Sequence, residues 1–239
     1  MWVDVIIPAY NPGAYIHDAI QSCISQSYNK TNIIVVDDNS AQDLEAEVSR
    51  YKNIKYIRNE KNMGPAYSRN VGIKSSSSEL ISLLDSDDIW HKDKLHYSVG
   101  EFKKNKSLGM TCGNYQIMVG NRIRPSFYKK SVAVDHKSLM RINYVASGST
   151  TIKRSVADDV GLFNEKYWIA EDYDMWVRIS EKYPIKYIHR VLYYYRITPG
   201  GDSLTQNSEV QANHIKNIEE IKKESVRRLL ESEQARDKL

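Results

Sequence analysis

The chain has 239 residues, 41% of them hydrophobic and 27% charged, with a formal net charge of +4 at pH 7. That length suits one domain with a sizeable core, or one domain with a small appendage, and the composition is that of an ordinary globular protein. No run approaches the roughly 18 apolar residues of a membrane span, and the charge is too mild to indicate a nucleic-acid partner, although phosphorylated substrates or an anionic membrane surface remain compatible with it.

Val3–Pro8 reads as a buried strand, and Tyr15–Ser25 has helical spacing through Ile16, Ala19, Ile20, Cys23 and Ile24. Ile33 to Val36 is a second continuous apolar strand that ends in Asp37-Asp38. A helix (Leu44 to Tyr51) and a short strand (Ile54–Ile57) follow. Gly64-Pro65 opens a helix through Ile73, with proline near the first turn, where its missing N–H costs nothing. Leu80–Leu84 is the fourth strand, and Lys92 to Asn105 the next helix. Apolar strands separated by helices predict an α/β protein with a mostly parallel, doubly covered sheet. Ligands gather at the carboxyl ends of such strands, where Tyr10-Asn11, Asp37-Asp38 and Asp85-Ser86-Asp87 all fall.

The second half is less regular. Met110–Val119 reads as a strand, Arg122–Val134 as an irregular basic segment, and Lys137–Ile142 as a short helix. Ser147 to Thr151 is a small-residue strand or turn, Glu171–Lys182 a clear helix, and Ile185–Ile188 and Leu192–Arg196 two closing strands. From Ser208 a highly charged helix runs towards Leu230, with one apolar stripe through Ile215, Ile218, Ile221, Val226, Leu229 and Leu230.

The chemistry concentrates in Leu84-Asp85-Ser86-Asp87-Asp88. Clustered carboxylates raise one another's pKa and call for a positive partner. Mg²⁺ or Mn²⁺, shared with water and substrate phosphates, is one such partner. The alternative is a helix cap, with Asp87 or Asp88 starting the helix that follows. The first strand ends in Pro8-Ala9-Tyr10-Asn11, which lacks the glycines of a dinucleotide fold. It offers instead an aromatic ring to stack a base, and Asp38 a carboxylate to accept a base N–H.

Val5 to Asn11, Val35-Val36-Asp37-Asp38-Asn39-Ser40, Asn62-Met63-Gly64-Pro65-Ala66 with Arg69-Asn70, and Leu84 to Asp88 resemble, in order and spacing, the family 2 glycosyltransferases of the GT-A fold. The resemblance continues through Val160 to Glu165 and Ala170 to Trp176, and covers roughly Val3 to Ser203. It implies a GT-A domain over 1–204, with a nucleotide-binding half (1–90) and an acceptor-binding half (91–204), and a C-terminal helical extension over 205–239. It implies that Pro8 and Tyr10 lie against the nucleoside, that Asp38 bonds the base, and that Gly64 belongs to the donor loop. Asp85 and Ser86 would sit near the ribose and the cation's water shell, and Asp87 would hold Mn²⁺ or Mg²⁺. Arg69 either faces the donor or braces the loop, and Asp37 serves loop hydrogen bonds. Asp172 matches the family's base, with Glu171 and Trp168 on the acceptor side and Trp168 and Trp176 excluding water. Capping of the helix is the structural alternative for Glu171, Asp172 and Asp174.

The activity implied is inverting transfer of one sugar from a nucleotide sugar, UDP preferred, to a hydroxyl of a glycan or lipid-linked acceptor in bacterial surface polysaccharide assembly. A nucleotidyltransferase and a silent nucleotide-binding scaffold are the competing readings. Threonine (Thr198) stands where the family often has histidine, leaving Gly200 to Ser203 to fold over the diphosphate, and the Gln-x-x-Arg-Trp motif of processive synthases is absent. Tyr193 to Tyr195 either line an acceptor cleft or alternate in a strand. Cys23 and Cys112 read as reduced core thiols, and Met1 to Asp4 lead into strand-like sequence without a signal peptide, so the expected location is cytoplasmic. Peripheral attachment to the inner membrane face through Lys103, Lys104 and Lys106, or through Arg122, Arg124, Lys129 and Lys130, is a further expectation. The C-terminal helix packs on the domain or on a second subunit in a homodimer.

Overall fold

The computed structural model describes residues 1–120, 122–124, 133–197 and 208–236, and its architecture follows from strands buried on both faces. β1 (Val3–Ala9) is covered along its whole length. Val5 and Ile7 enter one core layer and Ile6 the other, as period-two alternation requires. α1 (Tyr15–Ile24) buries Ile16, Ala19, Ile20 and Cys23, a single stripe at helical spacing. β2 (Thr31–Asp37), the short α2 (Leu44–Ser49) and β3 (Ile54–Arg58) follow. α3 (Pro65–Lys74) starts behind Gly64, whose φ of 86° is a conformation that side chains resist. It packs so closely on the sheet that a Cβ at Gly72 would overlap Ile6.

β4 (Leu80–Leu83), β5 (Ile89–Trp90), α4 (Lys94–Lys104), β6 (Met110–Val119), β7 (Arg122–Ile123), α5 (His136–Leu139), a 3₁₀ turn at Ser147–Ser149, β8 (Thr151–Lys153), α6 (Arg154–Val160), α7 (Glu171–Lys182), β9 (Ile185–Ile197) and α8 (Ser208–Arg236) complete the described elements. One sheet takes the strands in the order β3-β2-β1-β4-β8-β6-β9-β5, with β7 on β6. β3, β2, β1 and β4 are parallel. β8 enters antiparallel between β4 and β6, β9 lies parallel to β6, and β5 antiparallel to β9. α1, α2 and α4 cover one face through Ile20, Leu44 and Phe102, and α3, α6 and α7 the other through Ile73, Ala157 and Trp176. The expected α/β fold with a C-terminal helix is therefore present. Its parallel order is confined to the first four strands and the β6–β9 pair.

The two expected closing strands are one. β9 runs from Ile185 to Ile197, with its register on β6 shifting opposite Gly113 and Asn114, where exposed His189 and Arg190 break the apolar alternation. The helix expected from Lys92 begins at Lys94 behind Asp93. β5 is two residues and α6 seven, too short for a periodic signal. No described helix is long and apolar enough to cross a membrane. Lys129, Lys130, Thr198 and the Gly200–Ser203 turn lie outside the described residues.

Candidate active site

The carboxyl ends of β1, β2 and β4 meet along one edge. Pro8 is buried within β1, whereas Tyr10 just beyond it is 53% exposed and free to stack on a flat ligand. Asn11 (φ 47°) ties this loop to the next one, its N–H donating to Ser40 Oγ (3.0 Å) and its side-chain oxygen accepting from Ala41 N (2.8 Å). Asp37 is fully buried and serves the loop, accepting from Ser40 N, Tyr56 Oη and Arg58 Nη1 at 2.8, 2.6 and 2.7 Å. Asp38 has a structural duty as well. It accepts from Asn59 Nδ2 (2.7 Å), Met63 N (2.9 Å) and Gly64 N (2.7 Å), fixing the turn that leads into α3. A carboxylate offers about four lone-pair sites, so a base N–H would add to these bonds without displacing them. Trp168 is half-exposed and closes the same wall, since a Cβ at Gly64 would stand 2.8 Å from its ring.

The acidic run divides its duties. Asp88 is fully buried and accepts from Tyr193 Oη and from Arg196 N (2.7 Å). Arg196 also donates through Nε to the Asp87 carbonyl and through Nη2 to Asp18, each at 2.7 Å, with its guanidinium over the Tyr15 ring. The capping alternative fails, because the residue that precedes α4 is Asp93. The run is instead folded back onto β9, which leaves the Asp85 and Asp87 carboxylates at the rim, with Ser86 buried between them. Loss of hydration in its crowded setting, then the charge of Asp85, pushes the Asp87 carboxyl up to about 6. Two carboxylates that repel each other suit a hard divalent cation which keeps water and phosphate ligands. Among the described residues no group of three or more His, Cys, Asp or Glu side chains forms a cation cage.

Arg69 joins this edge to the second half of the chain. It is buried, donates through Nη2 to Asp85 (2.8 Å) and through Nη1 to Glu171, and lies over the Phe163 ring. The sequence left Arg69 either facing the donor or bracing the loop; the structure adds a bond to Glu171 across 102 residues of chain. α7 starts behind left-handed Ala170 (φ 70°), with Glu171, Asp172 and Asp174 in the first turn, where the helix dipole favours them. Asp172 is half-buried and accepts from Tyr173 N (2.6 Å). Burial first, and then the charge of Glu171, push its carboxyl up to about 7, against the opposing pull of Arg69. A carboxyl titrating there is suited to general-base work at neutral pH.

Trp176 does not join Asp172 in excluding water. It is fully buried, edge-on to Phe163 at 6.1 Å, because α7 turns that side into the core. Tyr193 is likewise buried on Asp88, whereas Tyr194 lines a shallow cavity of about 330 Å³ with His91, Tyr97, Arg190 and Val191 on the outer side of the sheet. Alternation in β9 accounts for both. Sequence reasoning missed Arg196 and the inward role of Asp88. The one available signal was an arginine closing an aromatic strand.

Comparison with known proteins places the chain among glycosyltransferases. An uncharacterized glycosyltransferase of Haemophilus influenzae is 29% identical over 213 residues, spanning 86% of this chain and 82% of that protein. The Escherichia coli enzyme WfgD, a UDP-Glc:α-D-GlcNAc-diphosphoundecaprenol β-1,3-glucosyltransferase, is 29% identical over 179 residues, 74% of this chain and 69% of its own. Crystal structures of Staphylococcus aureus TarS 1–349 share the fold. The complex with UDP-GlcNAc matches at a TM-score of 0.72 and 24% identity over 84% of this chain and 60% of that one, and the complex with UDP at 0.70 and 25%. The present chain thus spans about three fifths of the TarS fragment's length. The family model described as glycosyl transferase family 2 matches residues 4–161, and the chain belongs to that family.

Proposed function

We propose that the protein transfers a single sugar, with inversion, from a UDP-sugar to a hydroxyl of a lipid-linked glycan acceptor at the inner membrane face. The observation that carries this reading is the Asp85–Arg69–Glu171 bridge, in which one guanidinium joins a carboxylate of the acidic run to the immediate neighbour of Asp172, whose carboxyl is raised to about 7. Tyr10 would stack on the uracil and Asp38 accept its imide N–H. Asp172 takes the proton of the acceptor hydroxyl as that oxygen bonds to the anomeric carbon. The bond to the nucleoside diphosphate breaks on the opposite face, and the diphosphate departs with the electron pair, so an α-linked donor gives a β-glycoside. Asp87, with Asp85 beside it, would hold Mn²⁺ or Mg²⁺, and such a cation would supply positive charge to the leaving diphosphate. Support for the donor comes from the UDP and UDP-GlcNAc complexes of the S. aureus neighbour, and for the acceptor class from the diphosphoundecaprenol substrate in the E. coli relative's name. The buried, unpaired thiols of Cys23 and Cys112 are in keeping with a reducing compartment.

Calorimetric titration of UDP with and without Mn²⁺, on the wild type and on Asp87→Ala, tests the donor site. Binding should tighten with metal, and the variant should lose that gain. No binding of UDP, GDP or dTDP under either condition would overturn the reading.

A further inference from the structure

We propose that α8 is a working part of the active site and that His214 is its positioning residue, acting through Glu171 to order the acceptor subsite. This rests on the sugar-transfer reading above. His214 heads the inward stripe of α8. Ile218 packs against the core, and Ile221 and Ser225 are fully buried, so residues at i, i+4, i+7 and i+11 share one face. On the same face Asn217 Nδ2 donates to the carbonyl of Ile169 (2.9 Å), one residue before the left-handed Ala170 that launches α7. Ser225 and Arg228 on Glu181 fasten α8 to α7, and the Lys166–Glu220 pair ties it to the loop before α7. α8 is therefore clamped onto the turn that presents Glu171 and Asp172.

Beside that turn one buried polar atom lacks a partner among the described residues and one carboxylate oxygen is left over. His214 Nδ1 is buried and has no hydrogen-bond partner. The Asn217–Ile169 bond, three residues beyond His214 and two before Glu171, brings these two segments together; burial lowers the proton affinity of the imidazole, and the charge of Glu171 opposes that effect. Glu171 gives Oε1 to Arg69, and its Oε2 makes no hydrogen bond to another described residue. Buried polar atoms are nearly always paired, so an open pair beside a reaction centre points to a ligand that completes it. A sugar hydroxyl next to the reacting one would do so, donating to Glu171 Oε2 and accepting from the imidazole N–H. His214 would then fix the carboxylate and the neighbouring hydroxyl, while Asp172 handles the reacting proton.

The test uses the full chain with His214→Ala, His214→Gln and, as a control for helix docking, Asn217→Ala. Rates are measured with UDP-glucose and a synthetic α-GlcNAc-diphosphate bearing an undecyl chain, and UDP release to water is followed without acceptor. His214→Ala should raise the acceptor KM about tenfold, the loss of one hydrogen bond between neutral groups, while UDP release to water stays within about twofold. Glutamine, which still donates, should recover most of the loss. A lowered Tm with a wild-type acceptor KM would make His214 a packing residue and overturn the proposal. A second arm needs no substrate. By NMR the His214 ring should titrate at lower pH in Glu171→Gln than in the wild type, with Arg69 and Asp172, the other charged groups at that carboxylate, left in place. An unmoved titration removes the coupling and the proposal with it. A wild type that releases no UDP counts against the sugar-transfer reading alone, and the NMR arm then decides.

Discussion

Replacing Arg69 with methionine keeps most of the stem's volume and deletes the charge that joins the two sides of the site. The Arg69 side chain is 5% exposed, Glu171 10% and Asp85 29%. Removing one partner of a buried ion pair costs about 3–5 kcal/mol, because the other charge is left without compensation. Asp85 can rehydrate at its exposed edge, which places the loss at the lower end, about 3 kcal/mol. For a chain of this size that corresponds to a Tm lower by about 6–12 °C. The pH dependence carries the sharper signature. With the guanidinium gone, the pull that restrains Asp172 at about 7 is lost, so its folded-state pKa rises further above the 3.8 of an ordinary aspartate. A carboxyl whose folded pKa is raised binds more protons folded than unfolded, so its contribution is full below the unfolded value and disappears as pH rises through the folded one. Through Asp172 the stability gap between Arg69→Met and wild type should therefore open as pH rises past about 7, where the wild-type carboxyl is ionised and the variant's still holds its proton. Urea denaturation followed by tryptophan fluorescence from about pH 5 to 9 measures it. A gap below about 1 kcal/mol that does not change with pH would refute the bridge as an energetic element.

The remaining predictions probe single features. Asp172→Asn should lower kcat by about 10²- to 10⁴-fold while calorimetric UDP affinity stays near wild type. In the wild type, kcat/KM should fall about tenfold per pH unit below the Asp172 value of about 7, since only the carboxylate accepts a proton, and a flat profile from pH 5 to 8 would remove it as the base. Gly64→Ala must hold a φ of 86° and push against the Trp168 ring. Stability should drop by about 1–2 kcal/mol, with a redshift or quenching of Trp168 emission and weaker donor binding, all readable in one fluorescence titration. Arg196→Met takes the guanidinium donors from the Asp87 carbonyl and from Asp18, while Asp88 keeps the backbone N–H of residue 196 and Tyr193 Oη. Its UDP affinity should respond to Mn²⁺ far less than that of the wild type while Asp172-dependent pH behaviour persists, and an unchanged metal response would show that the loop holds itself.

What the chain's order of residues determined by itself was the α/β layering and the cast of the site. Strands such as Val5-Ile6-Ile7 and Ile33 to Val36 are apolar on both faces, and the helices between them carry single stripes, so a doubly covered sheet is legible from periodicity alone. The ends of those strands were legible too, because Tyr10, Asp38 and Asp85 follow directly on the apolar runs. Tertiary structure decided which of these carboxylates remain available. Asp88 is taken inward by Tyr193 and Arg196 across 105 and 108 residues, and Glu171 is held by Arg69 across 102. Local spacing holds no record of pairings that distant. Which side of α7 enters the core is set by Phe163 and by α8, so Trp176 is buried beneath the site while Trp168 stands over Gly64. A side chain's type and position along the chain limit what chemistry it can do. Whether it meets solvent, a partner or a substrate depends on which distant element packs against it, and that is settled only when the sheet closes from β4 through β8 and β6 to β9.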